Sequence, residues 1–324
     1  MYSIRGLAFS QFVLLVGIIG PAPAQNYPTR PIRIIDGFPA GGAPRVLART
    51  IGQHLTERWK QPVIVDNRPG ASSNLGAELA AKAPPDGYTL FIGATSALAT
   101  STDLYPGLAF DPVRDLTAVT QVASGALVLL LHPAVSAKSV TELIALAKLN
   151  PGQMRYASSG VGAPLHLAAE LFKQQAKIDL THVAYKGGVP ATTAIVSGET
   201  QLGFSSLAAA LPFVRGARVH AVAVSTPARS SALPDVPTIA ESGLAGFDVT
   251  VWYGILAPAG TPVRVIDKLS TEIVGILALP DVVDRLATLG LNAKGSTPGE
   301  FRATLHKEVT LWRRVIRDAG IKAP

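Results

Sequence analysis

Short apolar runs alternate along the chain with stretches in which apolar residues recur every three or four positions. The runs Ile32–Ile35, Val63–Val65, Thr89–Ile92, Met154–Ala157, Thr181–Ala184 and His220–Val224 read as strands. Between the first two, Leu47, Ile51 and Leu55 predict one apolar helix face. Leu165, Ala169 and Phe172 predict another, opened by Pro164. Val140–Leu149 and Val263–Leu277 also read as helices, and Pro298–Asp318 as a final amphipathic one with Phe301, Leu305, Val309 and Trp312 on one side. Strands alternating with helices are the pattern of a parallel sheet covered by helices, so the fold class expected is α/β.

Two longer apolar segments stand apart, Ala126–Leu131 and Val249–Pro258. A two-lobed receptor needs two strands crossing between its lobes, and these segments are the candidates. The chain would build one lobe, cross near Ser124–Leu127, build the second, and return near Trp252–Ile255. The expected division is residues 25–124 with 255–324 for the first lobe and 125–254 for the second.

The tetrapeptide Gly-Gly-x-Pro occurs twice, at Gly41–Pro44 and Gly187–Pro190, each time between an apolar run and a helix-like stretch. Glycines turn the chain sharply and leave backbone N–H groups uncovered. Proline suits the first helical position because its missing N–H would be unpaired there. Strand, bare turn and helix N-terminus together make an anion cradle. Two cradles in different parts of the chain suggest a carboxylate-sized ligand gripped from two sides.

Five turns carry residues suited to such a ligand: Phe38–Pro44, Arg68–Asn74, Gly93–Ser96, Ser158–Ala163 and Tyr185–Pro190. In open α/β sheets ligands gather beyond the carboxyl ends of the strands, where these turns lie. Phe38 offers an apolar wall beside the backbone donors of Ala40, Gly41 and Gly42. Ser158, Ser159 and Gly160 offer hydroxyl and backbone bonds from the second lobe, and Ser96, Tyr185, Lys186, Gly187 and Ser205 complete the candidate set. Several of these have a plain structural alternative. Tyr185 can be half-buried packing, Lys186 a solvated turn charge, Trp252 core, Arg68 a cap on nearby carbonyls, and His166 a local hydrogen-bonding residue.

Composition narrows the class. Leu7–Ile19 is mostly apolar after Arg5, and Ala22-Pro23-Ala24 supplies small residues, so residues 1–24 read as a secretory signal cut after Ala24. The formal net charge is +7, of which Arg5 lies in that signal. No dense Lys/Arg run exists, so the charge suits general attraction of small anions and nucleic acid is not an expected partner. Cysteine is absent, which excludes a Cys nucleophile and thiolate metal sites. The six histidines are scattered without metal-protease spacing. There is no Gly-x-Ser-x-Gly, no Ser-x-x-Lys and no Gly-Lys-Ser/Thr phosphate loop. Carboxylates are sparse in the glycine turns, so no acid–base pair presents itself. A binding protein without catalytic residues, metal or cofactor is the reading that remains.

At these turns the chain resembles the tripartite tricarboxylate transporter substrate-binding proteins, the Bug receptors. The matching stretches include Tyr27–Ile32, Phe38–Gly42, Val65–Ala71, Pro85–Leu90, Tyr156–Gly160 and Ala184–Gly188. Leu233–Thr238, Trp252–Gly254 and Ala257–Pro262 follow, in the family's order across nearly the whole mature chain. The resemblance implies a periplasmic, type II-like Venus flytrap that closes on a small organic acid and hands it to permease subunits or to a sensor. A monomer is the default, because closure needs free lobes. Some positions depart from the family pattern. Arg45 stands where Asp is frequent, Ala43 and Ala163 where a hydroxyl residue is common, and Ala194 where the helix often has Asp. These departures suit a more negative or more apolar acid. Two rival readings stay open: an occupancy sensor with no role in uptake, and an enzyme on the same scaffold with Lys186 or His166 as proton-transfer group.

Overall fold

The structure, a computed structural model, describes residues 27–38, 42–105 and 107–322. The expected signal segment and the cradle residues Ala40 and Gly41 lie outside the described residues. In chain order come β1 (Ile32–Asp36), α1 (Ala43–Trp59), β2 (Val63–Asn67), α2 (Asn74–Ala81) and β3 (Thr89–Ala94). Two single-turn helices, α3 (Thr95–Leu98) and α4 (Ser101–Leu104), lead to the long strand β4 (Leu116–Leu131). Next are α5 (Val140–Leu149), β5 (Arg155–Ser158), α6 (Pro164–Ala176), β6 (Thr181–Ala184), α7 (Gly188–Ser197), β7 (Leu202–Ser206), α8 (Leu207–Arg215) and β8 (His220–Val224). The chain ends with β9 (Thr250–Pro258), α9 (Val263–Leu277), α10 (Pro280–Thr288), β10 (Asn292–Ala293) and α11 (Pro298–Asp318).

The strands form two sheets that share β4, the architecture of a two-lobed α/β protein. In the first, β2, β1 and β3 are parallel, and β9 runs antiparallel between β3 and β4. In the second, β6, β5 and β7 are parallel, and β4 runs antiparallel between β7 and β8. Each sheet is therefore parallel where helices cross over and mixed where β4 and β9 join it. The partner of β4 changes within one step: Ala126 still pairs Thr250 of β9, whereas Leu127 pairs Ser206 of β7.

The first half of β4 is longer than its apolar pattern suggests, because Thr117, Thr120, Gln121 and Ser124 interrupt that pattern. Ser296 answers two of them: its carbonyl accepts from Thr120 Oγ1 at 2.8 Å, and its Oγ accepts the Gln121 N–H at 3.0 Å. A buried strand tolerates polar residues when a neighbouring loop completes their hydrogen bonds.

Two main cores follow. In the first lobe Ile32, Ile34, Leu47, Ile51, Leu55 and Leu269 pack together between α1, α9 and the sheet. In the second Leu129, Leu131, Tyr156, Leu167, Leu171, Phe172 and Phe204 do the same around α6. Helix α11 serves both lobes. Its Phe301 and Leu305 join Trp252 and Leu256, while its Trp312, Val315 and Ile316 enter the core around α6. Among the described residues no helix is long and apolar enough to cross a membrane.

Candidate functional site

In the first lobe, the carboxyl ends of β1, β2 and β3 come together through close backbone approaches. A Cβ on Gly37 would lie 2.2 Å from Ser73 Oγ, and one on Gly76 would lie 2.8 Å from Gly37 Cα. Only glycine lets the start of α2 pack this tightly under the turn that leaves β1. Asp36 is fully buried at the end of β1. Its Oδ1 accepts the Phe38 N–H at 3.0 Å, and its Oδ2 accepts from Asn67 Nδ2 at 3.1 Å. Asn67 also donates to the Phe38 carbonyl at 3.1 Å, and Arg45 donates to Asn67 Oδ1. Burial pushes the Asp36 carboxyl above its ordinary range, while these bonds and the Arg45 charge pull the other way.

The segment before α2 is strained. Ala71, Ser72 and Ser73 follow one another at φ 45°, 55° and 78°, in the left-handed region that favours glycine. Ser72 Oγ lies 2.9 Å from the Tyr105 hydroxyl. Ser73 and Asn74 are buried, and their side-chain polar atoms have no partner among the described residues. At the end of β3, Thr95 and Ser96 open α3, both buried.

In the second lobe, two turns sit side by side. The Tyr185 N–H donates to the Ser158 carbonyl at 2.9 Å, and a Cβ on Gly160 would lie 3.6 Å from the Tyr185 carbonyl. Ser158 Oγ accepts the Gly160 N–H at 3.2 Å and lies 2.6 Å from His182 Nε2. The Gly162 N–H donates to His166 Nδ1 at 3.0 Å. The two imidazoles stack with centroids 4.0 Å apart, and Tyr156 stacks on His182. Burial, helped by the neighbouring His182, brings the His166 pKa down to about 4, with Glu170 opposing the shift. Burial also lowers His182. Gly187 caps α7 at φ 117°, a conformation open to glycine and strained for other residues.

A Cβ on Gly162 would fall 2.2 Å from Leu104 Cδ1 of α4, so the glycine lets the turn lie flat against Leu104, which packs with Leu129, Leu165 and Phe172 in the core around α6.

The candidate residues divide accordingly. Phe38, Gly42 and Ser96 stand at the strand ends of the first lobe, and Ser158, Ser159, Gly160, Tyr185, Lys186 and Gly187 at those of the second. The Tyr185 ring packs on the cluster of Ala191, Ile195 and Val128, while Lys186 is exposed. Ser205 is fully buried, its Oγ 2.7 Å from Thr192 Oγ1 and bonded to the Ser206 carbonyl. Strand alternation turns it toward α7. Trp252 is core, edge-on to Phe301, and Arg68 pairs with Asp66.

Proline placement differs from expectation in both cradles. Pro44 is the second residue of α1, and Pro190 the third of α7. The first three helical N–H groups are all unpaired, so each position accepts proline for the same reason as the first. Leu104 and His182 are absent from the sequence reading. Leu104 lies far from Gly162 along the chain, and His182 has no motif around it, only its place in a strand beside Tyr156. Among the described residues no group of three His, Asp or Glu side chains stands as a metal site.

Two sheets sharing β4, with paired turns at the ends of their parallel strands, define a two-lobed solute-binding protein of the periplasmic type. The particular family is clear: the chain belongs to the tripartite tricarboxylate transporter family of receptors, whose sequence model matches residues 47–321. Protein BugT of Bordetella pertussis is 34% identical over 312 residues, covering 96% of each chain. Two solved structures from Rhodopseudomonas palustris share the fold. Rpa4515, solved with adipate, has a TM-score of 0.81 at 32% identity, covering 92% of this chain and 100% of the other. MatC, with bound malate, has a TM-score of 0.76 at 29% identity, covering 90% and 100%.

Proposed function

We propose that this protein is a periplasmic receptor that closes on a small dicarboxylate between its lobes and presents it to permease subunits of a tripartite tricarboxylate-type transporter. The observation that carries the reading is the pair of adjoining turns, Ser158–Gly162 and Tyr185–Gly187, at the carboxyl ends of neighbouring parallel strands β5 and β6. Both end strands and precede helices, so uncovered amides and helix N-termini point beyond the sheet, where anions are favoured. Adipate and malate in two relatives support a dicarboxylate as the ligand class. The contact set consists of Phe38, Ala40, Gly41, Gly42 and Ser96 on one side and Ser158, Ser159, Gly160, Tyr185, Lys186 and Gly187 on the other. Tyr185 acts through its backbone, and Ser205 supports α7 instead of touching ligand. The lobes divide at 124/125 and 254/255, a division supported by the change of β4 partner beside it.

Binding alone accounts for this chemistry, and the protein is not an enzyme. His166 serves the turn through its Nδ1, which leaves that nitrogen occupied. Residues 1–24 direct export and are removed, and the mature protein works as a monomer. Calorimetric titration of the mature protein with adipate, malate, citrate and glutamate tests the reading. One of the dicarboxylates should bind and return chemically unchanged. A protein that binds none of the four, or that converts one, removes it. Loss of uptake of the bound acid in a strain lacking this chain separates a transport receptor from a sensor.

A further inference from the structure

We propose that the stacked pair His166–His182 is a positioning device: it sets the shape of the 158–162 turn that the second lobe offers to the ligand, and it releases that turn when it takes up a proton. The inference rests on the reading that this turn faces the ligand, but its structural half can be tested without one.

Each imidazole holds one end of the turn. His166 Nδ1 accepts the Gly162 N–H at 3.0 Å, so that nitrogen carries no proton. His182 Nε2 lies 2.6 Å from Ser158 Oγ, and the same oxygen accepts the Gly160 N–H at 3.2 Å. Two of the turn's amides are thereby fixed inward, while those of Ser159 and Val161 keep no partner among the described residues. This arrangement leaves the Ser159 and Val161 N–H groups for an anion, on either side of the Gly160 amide that Ser158 Oγ holds.

Three features keep the pair neutral. His166 is 4% exposed. The rings lie face to face at 4.0 Å, where two imidazolium charges would repel. Lys173 presents its ammonium to the same pocket, 5.6 Å from the Tyr156 ring centroid. The titratable and charged groups around the rings are His182 and Tyr156 from the strands and Glu170 and Lys173 from α6. The Glu170 carboxylate is engaged by Lys173 at 2.8 Å and the Tyr156 hydroxyl at 2.5 Å, and it stands 3.9 Å from His166 Nε2.

A proton on His166 Nδ1 turns an acceptor into a donor facing the Gly162 N–H. That bond is then lost and the turn is freed. With His166 titrating near 4, the fixed shape is present at neutral pH and lost as pH falls toward that value.

Nuclear magnetic resonance of the ligand-free wild-type protein gives the first test. His166 Nδ1 should show an unprotonated nitrogen shift at neutral pH, and the Gly162 amide should be protected from exchange. His166→Ala should speed Gly162 exchange about tenfold or more, and His182→Ala that of Gly160; a tenfold change is the loss expected of one ordinary hydrogen bond. His166→Asn, whose Oδ1 sits where Nδ1 did, should restore protection and should not titrate. Calorimetry with adipate between pH 3.5 and 8 gives the second. Wild-type affinity should fall more steeply on acidification than that of His166→Asn, the difference separating the pair from protonation of adipate itself. A protonated Nδ1 at neutral pH, or Gly162 exchange indifferent to His166→Ala, overturns the proposal. Equal pH slopes for wild type and His166→Asn overturn its ligand-linked half. Failure of the wild type to bind adipate at any pH counts against the dicarboxylate reading, while the exchange data still decide the role of the pair.

Discussion

Arg45 lies in the first turn of α1, where free amides and the helix dipole favour a negative group over a cation. The side chain resolves the conflict by turning to Asn67, whose amide in turn holds Asp36 and Phe38. Its charge offsets a fully buried carboxylate before it offsets any ligand. Arg45→Asp should therefore act first on stability. With a second carboxylate at Asn67, unfolding should be easier by about 1–3 kcal/mol, read as a drop of several degrees in melting temperature. A ligand preference that shifts with unchanged stability would assign Arg45 to the ligand instead. Gly162 makes a second residue-scale case. Gly162→Ala places a methyl group on Leu104 at a φ of 72°. Adipate affinity should fall about tenfold or more, and Leu104→Ala added to it should recover part of the loss. Calorimetry on the single and double variants reads this coupling.

At the scale of elements, the helix N-termini differ in how fully they are capped. Ala163 is the N-cap of α6 and makes no side-chain cap. Ala163→Ser supplies the missing acceptor and should stabilise the protein by about 1 kcal/mol, measured by urea unfolding. At α11 the cap is complete: Thr297 and Glu300 bond each other's backbone N–H. Thr297→Ala should cost about 1 kcal/mol in the same assay. The stacked histidines add a pH dependence. Folding lowers both pKa values, that of His166 to about 4, so between the ordinary histidine value and about 4 the unfolded chain binds more protons than the native one. Stability is then fully present above that window and declines as pH falls through it. Melting curves from pH 7.5 to 4 should show the decline, reduced in His166→Asn.

The whole molecule is held in its two-lobed form by three connections: β4, β9 and α11. α11 sends Phe301 into one lobe and Trp312 into the other, so the rotation that opens the lobes must be accommodated along this helix. Ligand must favour the closed arrangement over the open one for binding to be reported to a partner. Small-angle scattering should show the mature protein contracting on addition of a bound dicarboxylate, and Gly162→Ala should reduce that contraction. An unchanged radius of gyration in wild type would mean that binding does not close the lobes.

Most elements were legible locally. The boundaries of α5, α9 and α11 follow from apolar spacing and terminal prolines, and six strands from short apolar runs, because period and propensity are properties of neighbours in the chain. The early half of β4 was not legible, since Ser296 completes its polar residues from far along the sequence. Glycine turns marked the candidate site in the sequence, because a bare backbone is written in the residue type itself. The inward turn of Ser205, the seat of Leu104 on Gly162, and the joining of His166 to His182 were decided only when separate strands and helices came together. Sequence by itself determined an α/β chain of receptor type with amide-rich turns at its strand ends. Tertiary structure alone decided which side chains support those turns, because stacking, burial and hydrogen-bond partnership arise between residues that the chain brings close only by folding.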